Sequence, residues 1–406
     1  MSASLTGAAV LDLKAQVRHG ALFHPPDDTG RIDAYIPSLG DEDHAPNLTL
    51  LPSGDLLCVW FAGSAEGAGD VSIGLSRLPA DGAAWEAPRF VTTSRDRSEQ
   101  NPSLFLTPRG ELWLLYTSQE TRGMPRAEWD ARKAAGEVEG LYPMQWTSQI
   151  RRRISVDEGR TWGPEAVFVE TPGSFCRHPP SVLADGTWVF GMYYSLEAGG
   201  RHGDDHSVVR LSRDEGRTWS EHPVPGSRGR VHPSVVELGG GELAAFFRSR
   251  AADRIYVSRS TDGGATWSAP ERTALPNNNA SIQAAALPSG AIAMVFNHFS
   301  ANDDPDTAVW PTRRYPLTLA LSDDGGRTWP DMRHVDPGDG FFGAANEPRN
   351  RVCAYPSVVA GDDGAIHVAY SYRGRQCVKY VRVTEEWIRS EVDWIYGEHV
   401  SHAHPF

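Results

Sequence analysis

Cysteine is scarce in this chain of 406 residues: only Cys58, Cys176, Cys353 and Cys377 are present. None forms a CxxC pair, so no zinc-ribbon or dithiol redox motif is available. The four read as buried apolar thiols. Long apolar runs are missing as well, and no stretch approaches the length of a membrane-spanning helix. Met1 to Val10 have neither a basic start nor an extended apolar core. No signal peptide is read there, and a soluble, cytoplasmic protein is the expectation. Positive charge is in deficit. The formal net charge of −13 argues against nucleic acid as a main partner. There is also no strand–helix phosphate cradle, because the glycines at Gly239 to Gly241 belong to a hairpin turn.

Glycine (40), proline (29) and tryptophan (13) are plentiful. That composition suits many short strands and tight turns. One pattern occurs six times: a polar residue, an apolar run, a glycine turn, and a returning apolar run. His44-Ala-Pro-Asn-Leu leads to Gly54, Asn101-Pro-Ser-Leu to Gly110, and His178-Pro-Pro-Ser-Val to Gly186. His232-Pro-Ser-Val leads to Gly241, Asn279-Ala-Ser-Ile to Gly290, and Tyr355-Pro-Ser-Val to Gly364. Each reads as a β-hairpin.

A second repeat, Ser-x-Asp-x-Gly-x-Thr-Trp, is interleaved with the first. It stands at Ser155 to Trp162, Ser212 to Trp219, Ser260 to Trp267 and Ser322 to Trp329, with a worn copy from Ser76 to Trp85. The aspartate can accept from nearby backbone N–H groups, glycine supplies the unusual dihedral, and tryptophan packs under the turn. A residue repeated with the unit serves the unit, so these aspartates are read as structural rather than catalytic. The repeat resembles the Asp-box of the sialidase (neuraminidase) superfamily. That resemblance implies an all-β fold, a six-bladed β-propeller, over nearly the whole chain.

On this reading residues 1–406 form one propeller domain, with blades starting near residues 44, 100, 177, 231, 278 and 354. Insertions are expected at 120–145, as a helical lid or a solvated loop, and at 302–314. Val10 to Phe23 is expected to supply the strand that closes the ring. The tail after Trp387 has no assignment.

The residues that begin the inner strands, His44, Asn101, His178, His232, Asn279 and Tyr355, are expected to converge at one mouth of the channel, with Arg177 and Arg230 nearby. No core needs such a polar ring, which makes it the candidate active site. The sialidase resemblance implies three arginines against a substrate carboxylate, a nucleophilic tyrosine helped by a glutamate, and an acid/base aspartate. Arg248 and Arg314 match two of the arginines and Tyr355 matches the nucleophile. His44-Ala45-Pro46 replaces the first arginine motif, and His232 stands where the glutamate is expected. Glu66 or Asp70 is the nearest acid.

These departures resemble the His/Tyr/Arg arrangement of propeller polysaccharide lyases. Cleavage of a uronate-containing glycan by β-elimination is the leading expectation. His44, His178, His232 and Tyr355 would be the acid/base groups, and Arg177, Arg248, Arg314, Asn101, Asn279 and Glu66 would hold an anionic oligosaccharide. The alternatives are an exo-glycosidase of sialidase type with Tyr355 as nucleophile, and a non-catalytic glycan-binding propeller. No cofactor is expected, although three histidines could hold a divalent ion.

Overall fold

The structure, a computed structural model, describes residues 19–25, 28–93, 96–196, 204–338 and 352–390. Its strands form six antiparallel sheets; five are meanders laid down in chain order from the inner strand outward, and the sixth takes its outer strand from the start of the chain. Apolar runs broken by tight glycine turns produce this arrangement. Blade one contains Glu42–Leu50, Leu56–Gly63, Ser72–Leu78 and Arg89–Phe90. Blade two contains Arg97–Leu106, Leu112–Glu120, Gln149–Ser155 and Ala166–Val169. Blade three has a split inner strand, Ser174–Phe175 and Ser181–Val182, before Trp188–Tyr194, His206–Ser212 and Ser220–Pro223. Blade four contains Arg230–Gly239, Glu242–Ser249, Arg254–Ser260 and Glu271–Pro276. Blade five contains Gln283–Ala286, Ile292–Asn297, Leu317–Ser322 and Asp331–Asp336. Blade six contributes Ala354–Ala360, Ala365–Tyr372 and Cys377–Thr384.

The sixth sheet is completed by Ile32–Ile36, antiparallel to Cys377–Thr384. This corrects the expectation for Val10 to Phe23. Residues 10–18 lie outside the described residues, and Phe23 makes only an isolated bridge with Asp33. Ile32–Ile36 fits the closing position because Ala34 and Ile36 bury their side chains with Val378 and Tyr380. The apolar core is a ring of layers between neighbouring blades, such as Val59 and Phe61 of blade one with Leu112 and Leu114 of blade two. All four cysteines are free and buried.

Polar side chains stitch the blades together, which gives the repeated Pro-Ser motif its purpose. Ser234 Oγ accepts from Ala284 N at 3.0 Å, linking blade four to blade five. Ser357 Oγ accepts from Leu48 N at 3.0 Å, linking blade six to blade one. In blade one Asn47 takes the serine's place, and its Oδ1 accepts from Leu104 N of blade two at 3.0 Å.

The Asp-boxes turn the third strand of a blade into the fourth. In the first, Asp157 Oδ1 accepts from Thr161 N at 2.8 Å and Oδ2 from Thr161 Oγ1 at 2.5 Å, while Ser155 Oγ accepts from Gly159 N at 2.8 Å. The same bonds recur around Asp214, Asp262 and Asp324. These hydrogen bonds hold the Asp157 carboxyl down at about 2. The box aspartates therefore hold turns together. Gly326 tests the closeness of this packing: it has φ +80°, and a Cβ there would lie 2.4 Å from Phe246 Cζ. Gly326→Ala is expected to cost about 2–4 kcal/mol in a denaturant melt, from the left-handed backbone and the clash with a buried ring.

Both insertions are ordered. In the first, the helix Arg126–Ala134 buries Trp129 against Tyr142, with ring centroids 6.3 Å apart. A Cβ on Gly67 would come within 3.1 Å of Pro143 Cα, so this insertion rests on the blade-one loop that carries Glu66 and Asp70. The second is pinned to blade four through Val309 N to Arg250 O (2.9 Å) and Arg230 NH2 to Pro305 O (3.1 Å). Beyond blade six, Thr384 caps the short helix Glu385–Arg389, and residues 391–406 lie outside the described residues.

Candidate active site

The inner strands aim their first residues with a shared irregularity. In blade one His44 pairs with Phe61 and Asn47 with Val59, three steps against two. Gln100 to Ser103, Val231 to Ser234 and Ala354 to Ser357 show the same shift. One extra residue makes a β-bulge, which re-aims a side chain. The bulged residue is left-handed: φ is 48° at Asn101, 56° at His232 and 53° at Tyr355, with 57° at Asn279 ahead of the blade-five strand. Backbone of this kind is costly for a residue with a Cβ and tends to cluster at functional sites. In blade one the left-handed residue is Ala45, at 56°. His44 is therefore one residue earlier than its expected counterparts. Blade three departs further. Phe175 pairs with Tyr193 and Ser181 with Val189, six steps against four, and Arg177 and His178 occupy the excursion.

Tyr355 is the centre of the group. Its hydroxyl accepts from Arg248 NH1 at 2.6 Å. The guanidinium carbons of Arg248 and Arg314 lie 5.4 and 5.5 Å from its ring centroid. The His44 ring is 4.4 Å away and the His232 ring 5.7 Å. Burial pushes the phenol up, but Arg248 and Arg314 outweigh it, and Tyr355 titrates below its ordinary value. Arg248 is held from its other side by Asn279 Oδ1, which accepts from Nε at 2.8 Å. Asn279 Nδ2 in turn donates to Val309 O at 2.7 Å, linking the arginine to the second insertion.

The histidines are enclosed. His44 is 1% exposed, and its Nδ1 is 2.7 Å from Ser371 Oγ. His232 Nδ1 is 3.0 Å from Ser281 Oγ. Burial, then the surrounding arginines, hold both well below the ordinary imidazole value, so both are neutral. His178 is likewise neutral through burial and Arg177. It faces backbone groups of Ile282 and His232 without reaching hydrogen-bond geometry.

Arg177 does not point to solvent. It donates to the carbonyls of Pro46 (3.0 Å), Tyr355 (2.9 Å) and Pro356 (3.2 Å), and to Ser281 Oγ at 3.2 Å. It thus ties blade three to blades one, five and six beneath Tyr355. Asn101 occupies the blade-two bulge, and its carbonyl accepts from the Cys176 thiol at 3.8 Å. Arg230 lies over the Tyr256 ring at 3.9 Å and donates to its hydroxyl at 2.9 Å.

Of the two candidate acids, Glu66 joins the group. Its charge acts on Tyr355 and Arg314. Asp70 is exposed and accepts from Ser64 Oγ at 2.9 Å. Arg375, on the last turn of blade six, donates to Glu66 Oε2 at 2.7 Å and to Glu42 Oε2 at 2.8 Å. Sequence reasoning missed Arg375, Glu42 and the two serines. A charged residue in the Arg373-Gly374-Arg375 turn was the available signal. Among the described residues, no three His, Cys, Asp or Glu side chains come together in a way that could hold a metal ion.

Six four-stranded blades, Asp-box turns and a tyrosine ringed by arginines define a propeller of sialidase-like architecture. The chain matches the BNR repeat-like domain over residues 54–368, and it belongs to that family. It is 24% identical over 363 residues to a sialidase of Bacteroides fragilis, covering 80% of this chain and 62% of that one. It is 26% identical over 340 residues to a sialidase of Micromonospora viridifaciens, covering 75% and 49%. The chain therefore spans less than two thirds of either relative. Among solved structures, a Hadza microbial sialidase superposes with a TM-score of 0.67 at 20% identity, covering 86% of this chain and 67% of that one. The intramolecular trans-sialidase of Ruminococcus gnavus gives 0.62 at 14%, covering 87% and 96%. At these identities the structural likeness is one of fold.

Proposed function

We propose that the protein is a glycoside hydrolase acting at a terminal carboxylated sugar, with Tyr355 as the nucleophile. The observation that carries this reading is the 2.6 Å bond from Arg248 to the Tyr355 hydroxyl, with Arg314 over the same ring. Two cations beside a phenol favour the phenolate, which is the attacking form. They also offer the bidentate partners that a sugar carboxylate needs. In the first step the phenolate oxygen bonds to the anomeric carbon, the glycosidic C–O bond breaks, and the leaving oxygen takes a proton from an acid on the mouth. Water then displaces the tyrosine. We assign the exchange of that proton to Glu66, whose charge acts on Tyr355, once substrate draws Arg375 away from it. Two relatives described as sialidases support a sialoside as the first substrate to try.

β-Elimination at a uronate is the second reading. Its support is the pair of neutral histidines flanking Tyr355. Against it, His44 Nε2 is enclosed and has no partner among the described residues. A paired assay on the purified chain separates the two. One arm follows release from a fluorogenic sialoside; the other follows the ultraviolet absorbance of a new carboxylate-conjugated double bond in uronate oligosaccharides. Release from the sialoside without absorbance growth is expected. Absorbance growth that disappears in Tyr355→Phe would replace hydrolysis with elimination, and binding without turnover in either arm would leave a glycan-binding propeller.

A further inference from the structure

Arg375 enters the mouth from the turn that joins the second and third strands of blade six, with φ 72°. Its carbonyl accepts from Asp43 N at 2.7 Å, which fixes the turn to the residue before His44. Its side chain lies between two carboxylates, Glu42 of blade one and Glu66 of the following loop. Whereas Arg248 is 1% exposed, Arg375 is 21%, Glu66 26% and Glu42 32% exposed. Arg375 is close enough to Arg314 and His44 for its charge to act on both. Blades four, five and six thus each bring one arginine to the mouth, in a chain whose first inner strand opens with His44-Ala45-Pro46 instead.

We propose that Arg375 is a substrate-binding residue, which meets the carboxylate of the anionic sugar at the rim beside Tyr355 in competition with Glu42 and Glu66. This rests on the carboxylated-sugar reading above. A guanidinium is planar with five donors, and two held from one side leave others to face a ligand. The same ion pairs would also serve a simple latch between blades six and one, but the two roles predict different signs. A latch loses stability, and nothing else, when either partner is removed. In a binding site, removing Arg375 weakens an anion. Removing Glu42, a competing negative charge, strengthens it.

The test is calorimetric titration of the full chain with N-acetylneuraminate and with glucuronate, each beside its uncharged methyl ester. Arg375→Ala is expected to weaken the acid that the wild type binds by about ten- to a hundredfold and to leave the ester unchanged, as loss of a charge-assisted bond implies. Arg375→Lys keeps the charge without the fork and should fall between. Glu42→Gln is expected to bind about two- to threefold tighter even though it melts earlier. Earlier melting in both variants, with acid affinity within about twofold of wild type, would reduce Arg375 to a latch. Arg248→Ala separates the levels of failure. Acid binding lost there but kept in Arg375→Ala overturns this inference alone, and a wild type that binds neither acid overturns the carboxylated-sugar reading together with it.

Discussion

Tyr355→Phe is expected to lower sialoside turnover by about a thousandfold or more while leaving the fold intact. The hydroxyl is the only atom removed, and the ring that packs between His44, His232 and the arginines is kept. Loss of a group that carries the covalent step typically costs at least this much, and the residual rate comes from binding and charge stabilisation. Arg248 keeps Asn279 as a partner in the variant, so the arginine stays in place. A second measurement ties the loss to chemistry. Arg248 stabilises the phenolate, so replacing it by lysine, which lacks the planar fork, raises the pH at which the phenol ionises. Where activity depends on phenolate, the rise of kcat with pH moves to higher pH in Arg248→Lys. A fluorinated glycoside that slows the second step should label Tyr355 in the wild type and nothing in Tyr355→Phe. Turnover within about tenfold of wild type in Tyr355→Phe would remove the residue from the chemistry.

What could be read from the chain follows from where the information lies. The hairpins and boxes repeat, and a repeated pattern carries its own confirmation, so six blades follow from the six hairpins between His44 and Gly364 and structural aspartates from the boxes between Ser155 and Trp329. Tyr355 and Arg248 sit in such repeats, Arg314 closes the second insertion, and the three meet in space. The one-residue offset of His44 is legible too, because proline marks the register: Pro46 aligns with Pro102, Pro233 and Pro356, which places Ala45 at the bulge. Arg177 stands just before the start of an inner strand, where a substrate contact is expected. Its guanidinium turns inward because three carbonyls of other blades lie below it, and those neighbours are 131 to 179 residues away in sequence. Arg375 meets Glu42 across 333 residues. Nothing local encodes such a pair; it exists because the ring closes. The closing strand is hidden for the same reason, since Ile32–Ile36 lies outside both repeats and finds its partner only through Cys377–Thr384.

Ring closure is also where the largest loss of stability is expected, in Lys379→Met, at about 3–5 kcal/mol. Lys379 is 6% exposed, and its Nζ lies 3.2 Å from Asp33 on the closing strand and 3.3 Å from Asp336 of blade five. Asp33 retains Arg31 at 2.6 Å when the lysine is removed. Among the described residues Asp336, 4% exposed, retains neutral donors as its direct contacts, the Tyr370 hydroxyl at 2.9 Å, Gly338 N at 2.9 Å and the Cys353 thiol, with the Arg31 charge acting from further off. The cost therefore falls on one buried carboxylate. Its pH dependence gives the mechanism away. In the wild type, burial raises the Asp336 carboxyl, but Lys379 and the hydrogen bonds outweigh burial and hold it below its ordinary value. That contribution to stability is present above the unfolded carboxyl value of about 4 and is lost as pH falls through the lower folded value. In Lys379→Met burial takes over, and the folded value rises above the unfolded one. The variant then binds the proton more tightly when folded, so it recovers stability as pH falls. Denaturant melts at neutral pH and near pH 5 should show the gap from wild type narrowing with acid, and Asp336→Asn in the Lys379→Met background should recover much of the loss at neutral pH. A gap that is the same at both pH values would mean that lost packing of the lysine stem, not an unpaired carboxylate, opens the ring.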